Sequence, residues 1–176
     1  MTTRSPLAPD SFPDLPAIDG LSLAVAASGL RYKNRSDLLL ITLCDTATVA
    51  GVFTRSDTAA APVIWSRGVM ASGQAHAILT NAGNANAFTG QQGRDTVHQT
   101  SSALAGTLGV RADQILLAST GVIGEPLESA KLSAYFPQLV ANQDASWAQA
   151  AEAILTTDTF PKTHSETFFK KRIFFK

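Results

Sequence analysis

Residues 37–54 read Asp-Leu-Leu-Leu-Ile-Thr-Leu-Cys-Asp-Thr-Ala-Thr-Val-Ala-Gly-Val-Phe-Thr, and the choice of architecture turns on them. Asp37 to Cys44 and Thr48 to Thr54 are β-rich runs, and the link Asp45-Thr46-Ala47 is short and polar. That pattern predicts two adjacent antiparallel strands. A regular parallel βαβ fold would place a helix between each pair of strands. The expectation is therefore α/β: a layered sandwich with a mixed or largely antiparallel sheet.

Working outward, Leu21 to Ala27 alternates loosely and predicts a first strand. Residues 1–19 are rich in Pro and Asp and read as an irregular lead-in. Downstream, Pro62 to Met70 suits a helix. Ala75 to Thr80 is an apolar run entering a Gly- and Asn-rich segment, which predicts a buried strand leading into a loop. Gly93 to Leu108 puts Val97, Ser101, Leu104 and Leu108 on one helix face, with Gly109 where a helix stop belongs. Gln114 to Ala118 reads as a short buried strand. Lys131 to Ala141 carries an apolar face that Pro137 breaks or kinks. Ser146 to Leu155 opens with Ser146 three residues before Gln149, a capping-box spacing. Its stripe is Trp147, Ala150, Ala151 and Ile154.

Composition narrows the function classes. Apolar residues make up 45 % and charged residues 16 %, enough to bury a core. The low charge suits either a body partly covered by a partner chain or a neutral polar surface. The net charge is zero, and no run of positive charge appears before the final residues, so no basic face for nucleic acid is expected. No apolar stretch approaches the ~20 residues of a membrane span. The first residues lack the apolar core of a secretory signal, so a cytoplasmic protein is the expectation. Cys44 follows an apolar run and reads as a small buried hydrophobe. His76, His98 and His164 lack metal-ligand spacing. From Thr163 to Lys176 the composition changes: four of the nine phenylalanines and four of the fourteen basic residues fall there. That leaves residues 1–162 with a net charge of −3. The end suits an amphipathic interaction tail or a foreign, frame-shifted terminus.

Three segments could carry chemistry. Asn81-Ala82-Gly83-Asn84-Ala85-Asn86-Ala87-Phe88-Thr89-Gly90 follows a predicted strand. Its amides and glycines could hold a ligand, or serve a turn-rich connector. Ser119-Thr120-Gly121-Val122-Ile123-Gly124 also follows a strand. Free backbone N–H groups beside a threonine hydroxyl are what a developing oxyanion needs in acyl transfer; a plain strand-to-helix turn uses the same residues. Thr156-Thr157-Asp158-Thr159 follows a predicted helix, and could bind an amino acid or cap the helix end.

Taken in order, these segments resemble the ornithine acetyltransferase (glutamate N-acetyltransferase) family. Ala50-Gly51-Val52-Phe53-Thr54, Ala60-Ala61-Pro62-Val63 and Ala153-Ile154-Leu155-Thr156-Thr157-Asp158-Thr159-Phe160-Pro161-Lys162 share the likeness. It covers roughly Gly20 to Lys162, with Phe88 and Leu155 as small departures from the family pattern. The resemblance implies a precursor that cuts itself before a threonine, which becomes the nucleophile at the start of a β chain. That threonine takes the acetyl group from N-acetylornithine and passes it to glutamate, in arginine biosynthesis. It implies an αββα-like sandwich completed by the β chain. It also implies an oxyanion hole at Thr120 and Gly121 and a substrate contact at Thr156. No cofactor is expected, although bifunctional members use acetyl-CoA as a substrate. Domain bounds follow: lead-in 1–19, α-chain-like domain 20–162, divergent tail 163–176. The tail departs from the family pattern, and Thr163 and Thr167 lie in the wrong context to replace the nucleophile. These residues alone are therefore expected to be inactive. The alternatives are a non-catalytic binding or scaffold protein, or a subunit of an N-terminal-nucleophile aminopeptidase.

Overall fold

The computed structural model describes residues 4–45 and 47–166. The elements run β1 (Leu21–Ala26), β2 (Leu38–Leu43), α1 (Ala61–Met70), β3 (Ala77–Asn84), α2 (Gly90–Leu108), β4 (Ile115–Val122), α3 (Ser129–Ser133), α4 (Phe136–Ala141) and α5 (Trp147–Ala153), with a 3₁₀ turn at Ala112–Gln114. The four strands form one sheet in the order β1-β2-β3-β4. β1 pairs antiparallel with β2, and β2 antiparallel with β3. β3 and β4 are parallel. The sheet is mixed, as expected.

One face of the sheet carries the larger core. Ala24, Leu38, Leu40, Ala77, Leu79, Ile115 and Leu117 meet Val97 and Leu104 of α2, Leu132 of α3, and Phe136 and Leu139 of α4. On the other face, Ala150 and Ala153 of α5 cover Leu23 and Leu39. α5 begins with the expected capping box: the Gln149 N–H donates to Ser146 Oγ at 3.2 Å, and the Ser146 N–H to Gln149 Oε1 at 2.8 Å. Ile154 falls just beyond the helix and is exposed.

Four expectations are corrected. Thr48 to Thr54 is not a strand; only Thr48 makes an isolated bridge, to Gln74. The reason is that β1 and β3 occupy both hydrogen-bonding edges of β2, so no third strand can pair with it. Val52 is 98 % exposed. Cys44 is exposed, because it lies one residue past β2 where the chain leaves the sheet. Lys131 to Ala141 is two helices, parted at Ala134 and Tyr135. Pro137 lies in the first turn of α4, where its missing N–H is harmless. Finally, β3 and β4 each run four residues past their predicted ends, into the Asn-rich and Ser-Thr-Gly segments.

The lead-in holds no helix or strand from residue 4 to 19, yet it is tied down. Trp147 Nε1–H donates to Pro16 O at 3.0 Å, and the Ser5 N–H to Thr159 Oγ1 at 3.2 Å. Thr46 in the predicted link, and the Phe- and Lys-rich tail from residue 167 on, lie outside the described residues.

Candidate functional site

The carboxyl ends of two parallel strands lie side by side, the place where α/β sheets commonly hold ligands. Register pairs Asn81 with Ser119, Ala82 with Thr120, Gly83 with Gly121 and Asn84 with Val122. Two of the three predicted segments therefore meet.

Their contact is backbone on backbone. Gly121 has φ +138°, and a Cβ there would fall 2.3 Å from Gly83 C and 2.5 Å from Asn84 N. A Cβ on Gly83, at φ +105°, would fall 2.9 Å from Cβ of Arg31. Neither position admits a side chain without moving main chain or the loop above it.

The outer edge of β4 is only partly covered. Trp65 Nε1–H of α1 donates to Ile115 O at 2.8 Å. Ser66 Oγ accepts from the Leu117 N–H at 2.9 Å and donates to Leu117 O at 2.7 Å. Leu117 thus faces away from β3, and the alternation of a strand turns Ser119 and Gly121 the same way. Val122 O faces β3, where it accepts the Ala85 N–H at 2.9 Å, in phase with this assignment. Among the described residues nothing pairs with the Gly121 N–H on the outer edge, and Thr120 Oγ1 makes no hydrogen bond. Thr120, half-buried, projects from the sheet face opposite Ser119.

The Asn-rich segment has spent its amides on the chain itself. Asn81, Asn84 and Asn86 are all buried. Asn81 Nδ2 donates to Asn84 O at 2.8 Å, and Asn81 Oδ1 accepts from Ser119 Oγ at 2.6 Å. Asn84 Nδ2 donates to Glu125 O at 3.0 Å, while its Oδ1 accepts the Asn86 N–H at 2.8 Å. Asn86 Nδ2 donates to Gly93 O at 3.0 Å. These are the partners buried amides require, so the connector role belongs to them.

Thr156 follows α5 and is half-buried. The residues around it reach the strand ends through the β1–β2 connection. The buried Asp37 carboxylate accepts from the Ser28 N–H at 2.6 Å and the Leu30 N–H at 3.1 Å, folding that loop. From it Arg35 donates to Leu155 O, with its guanidinium 4.0 Å from the centre of the Tyr32 ring. Arg31 pairs with Glu125 at 3.0 Å, above Gly83. Thr156 itself has no hydrogen bond to Thr120 or Gly121 among the described residues. The hydrogen bond from Lys162, and then its charge, hold the Asp158 carboxyl below the ordinary carboxylate range.

Sequence reasoning missed Asp37, Arg35, Trp65 and Ser66. Asp37 left a signal, a carboxylate heading an apolar run. The other three act through tertiary contacts that no local pattern marks. A cleft of about 390 Å³ lies elsewhere, between the lead-in and α5, lined by Phe12, Leu15, Ile18 and Trp147; Thr120, Gly121 and Thr156 are not part of it. Among the described residues no cluster of His, Cys, Asp or Glu is suited to a metal ion, and no helix is long and apolar enough to cross a membrane.

The chain as a whole is similar to known proteins. The sequence model of a family described as "ArgJ family" matches residues 22–174, across the compositional change at Lys162. The arginine biosynthesis bifunctional protein ArgJ of Agrobacterium fabrum is 47 % identical over 164 residues, covering 93 % of this chain and 40 % of that protein. Its counterpart in Nitrobacter winogradskyi is 49 % identical over 166 residues, covering 92 % and 40 %. This chain thus spans about two fifths of the length of these relatives. Among solved structures, the ornithine acetyltransferase of Mycobacterium tuberculosis complexed with ornithine aligns with a TM-score of 0.74 at 35 % identity, covering 80 % of this chain and 77 % of that one. The bifunctional protein of Bacillus halodurans aligns at 0.73 and 33 % identity, covering 80 % and 74 %. The extent of these matches, over a mixed sheet of the expected kind, settles the kinship: the chain belongs to the ArgJ family.

Proposed function

We propose that this chain forms the part of a glutamate N-acetyltransferase that stabilises the transition state for acetyl transfer from N-acetylornithine to glutamate, in arginine biosynthesis. The Gly121 N–H and the Thr120 hydroxyl are the oxyanion donors, and Thr156 contacts the amino-acid substrate. The observation that carries this reading is the uncovered edge of β4. α1 satisfies the strand as far as Leu117 and leaves Ser119 and Gly121 facing outward.

The chemistry proposed is a double displacement. A threonine hydroxyl, from a β chain cut from the same precursor, attacks the acetyl carbonyl of N-acetylornithine. The carbonyl oxygen becomes negative and takes the two donors. The C–N bond then breaks, ornithine leaves with the proton, and an acetyl ester remains. The amine of glutamate attacks that ester, giving N-acetylglutamate and the free hydroxyl. No cofactor takes part; acetyl-CoA serves bifunctional members as a second acyl donor. Residues 1–176 hold the donors without the nucleophile, so alone they carry no transfer. The β chain also supplies the second sheet of the sandwich. A cytoplasmic setting suits such a biosynthetic enzyme.

The test joins this chain after Lys162 to the continuation of the Agrobacterium fabrum relative. Thr120→Ala should lower kcat by about 10²–10³-fold, the scale for one oxyanion donor. KM should change far less, because the donor matters most once the carbonyl oxygen is charged. Cleaved protein is quantified separately, so that an effect of Thr120 on self-cleavage is not read as an effect on turnover. A rise in KM alone, with kcat and cleavage intact, would show that Thr120 is a substrate contact and not an oxyanion donor.

A further inference from the structure

Thr120 and Gly121 are useful as donors only if the strand end that carries them cannot drift, and the means of holding it lie beneath and beyond the site. On the face opposite Thr120, Ser119 Oγ donates to Asn81 Oδ1 at 2.6 Å. Beyond the site, Asn84 Nδ2 holds Glu125 O at 3.0 Å. Asn81 joins the two anchors, because its own Nδ2 donates to Asn84 O at 2.8 Å. Gly121 sits between them, in contact with the backbone of Gly83 and Asn84. Asn81 and Asn84 are 3 % and 8 % exposed, so water offers neither amide a substitute partner.

We propose that Ser119 and Asn81 are positioning residues: their hydrogen bond fixes the end of β4 in the geometry that aims the Thr120 and Gly121 donors. This rests on the oxyanion role proposed above. Neither side chain lies on the face of the sheet from which Thr120 projects. Ser119 projects from the opposite face to Thr120, and Asn81 Oδ1 and Nδ2 are both engaged by the chain. Their effect is on preorganisation, where a displacement of about 1 Å lowers rate by as much as ~10²-fold.

The fusion described above provides the test. Ser119→Ala should lower kcat by about 10- to 100-fold with KM within about twofold, the pattern of an interaction that counts in the transition state. Ser119→Thr, which keeps the hydroxyl, should restore most of the rate. In a Thr120→Ala background the effect of Ser119→Ala should shrink, because one of the donors it positions has gone. A fall in kcat that is fully additive with Thr120→Ala, or that Ser119→Thr does not rescue, would overturn the inference, as would an unchanged kcat. If Thr120→Ala lowers kcat and Ser119→Ala does not, only the positioning role fails. If Thr120→Ala itself leaves kcat intact, the oxyanion reading fails, and the positioning role with it.

Discussion

Gly121→Ala isolates the steric demand at the strand ends from any chemistry. The new Cβ would meet Gly83 C at 2.3 Å, Asn84 N at 2.5 Å and Gly83 Cα at 2.7 Å. All three are main-chain atoms, so no rotamer change relieves the clash. The strands must separate, and the register pairs on either side, Ala82 with Thr120 and Asn84 with Val122, separate with them. Overpacking of this kind costs about 1–3 kcal/mol. Holding a non-glycine residue at φ +138° adds roughly 1–3 kcal/mol. Together these come to ~2–6 kcal/mol, against a total of about 5–15 kcal/mol for an ordinary domain. For a chain of this size each kcal/mol moves Tm by about 2–4 °C. Thermal melting followed by circular dichroism should show a fall of at least ~4 °C on that scaling. Gly106→Ala is the control: it lies inside α2 with nothing within 4 Å of a new Cβ. Helix propensity there favours alanine by about 1 kcal/mol, so its Tm should rise. If Gly121→Ala melts with the wild type while Gly106→Ala rises, β3 and β4 do not approach as described.

Two further outcomes are expected. Asp37→Ala removes the acceptor of two N–H groups, those of Ser28 and Leu30, and each orphaned donor costs roughly 1–3 kcal/mol; urea melts at unchanged m-value should show the loss, with Asp37→Asn recovering part of it, and an unchanged midpoint would refute the anchoring role. Lys162→Ala should raise the Asp158 titration midpoint, because the lowering comes from the Lys162 hydrogen bond and charge. Since the folded value lies below the unfolded one, the pair's small contribution is present above about pH 3.9 and is lost as pH falls through the lowered value; a midpoint unmoved in carboxyl NMR would remove Lys162 as the cause.

What the sequence revealed, and what it withheld, follows from the range of the forces involved. The α5 capping box was readable because Ser146 and Gln149 act within one turn. The buried face of α2, with Val97, Ser101 and Leu104, was readable because one periodicity serves one core. Thr48 to Thr54 misled because strand composition says nothing of whether an edge is vacant; β2 had none to offer. Cys44 misled for a related reason, since burial depends on where the strand leaves the sheet. The Asn-rich segment was ambiguous by nature: amides suited to a ligand are equally suited to the chain, and only their partners decide. The nearness of Thr120 to that segment was hidden, because it depends on a parallel pairing across 38 residues.

That separation bears on how the molecule assembles. The nearest pairing of β1 with β2, Ala26 to Leu38, spans 12 residues, while Asn81 and Ser119 are 38 apart. Loop-closure entropy makes the longer closure more costly by about 1 kcal/mol. Strand ends that meet across such a distance depend on nonlocal contacts, which slow folding relative to local ones. In a folding chain the β1–β2 hairpin can therefore exist while Gly83 and Gly121 are still apart, so the surface proposed for catalysis comes into being only after the most local part of the sheet.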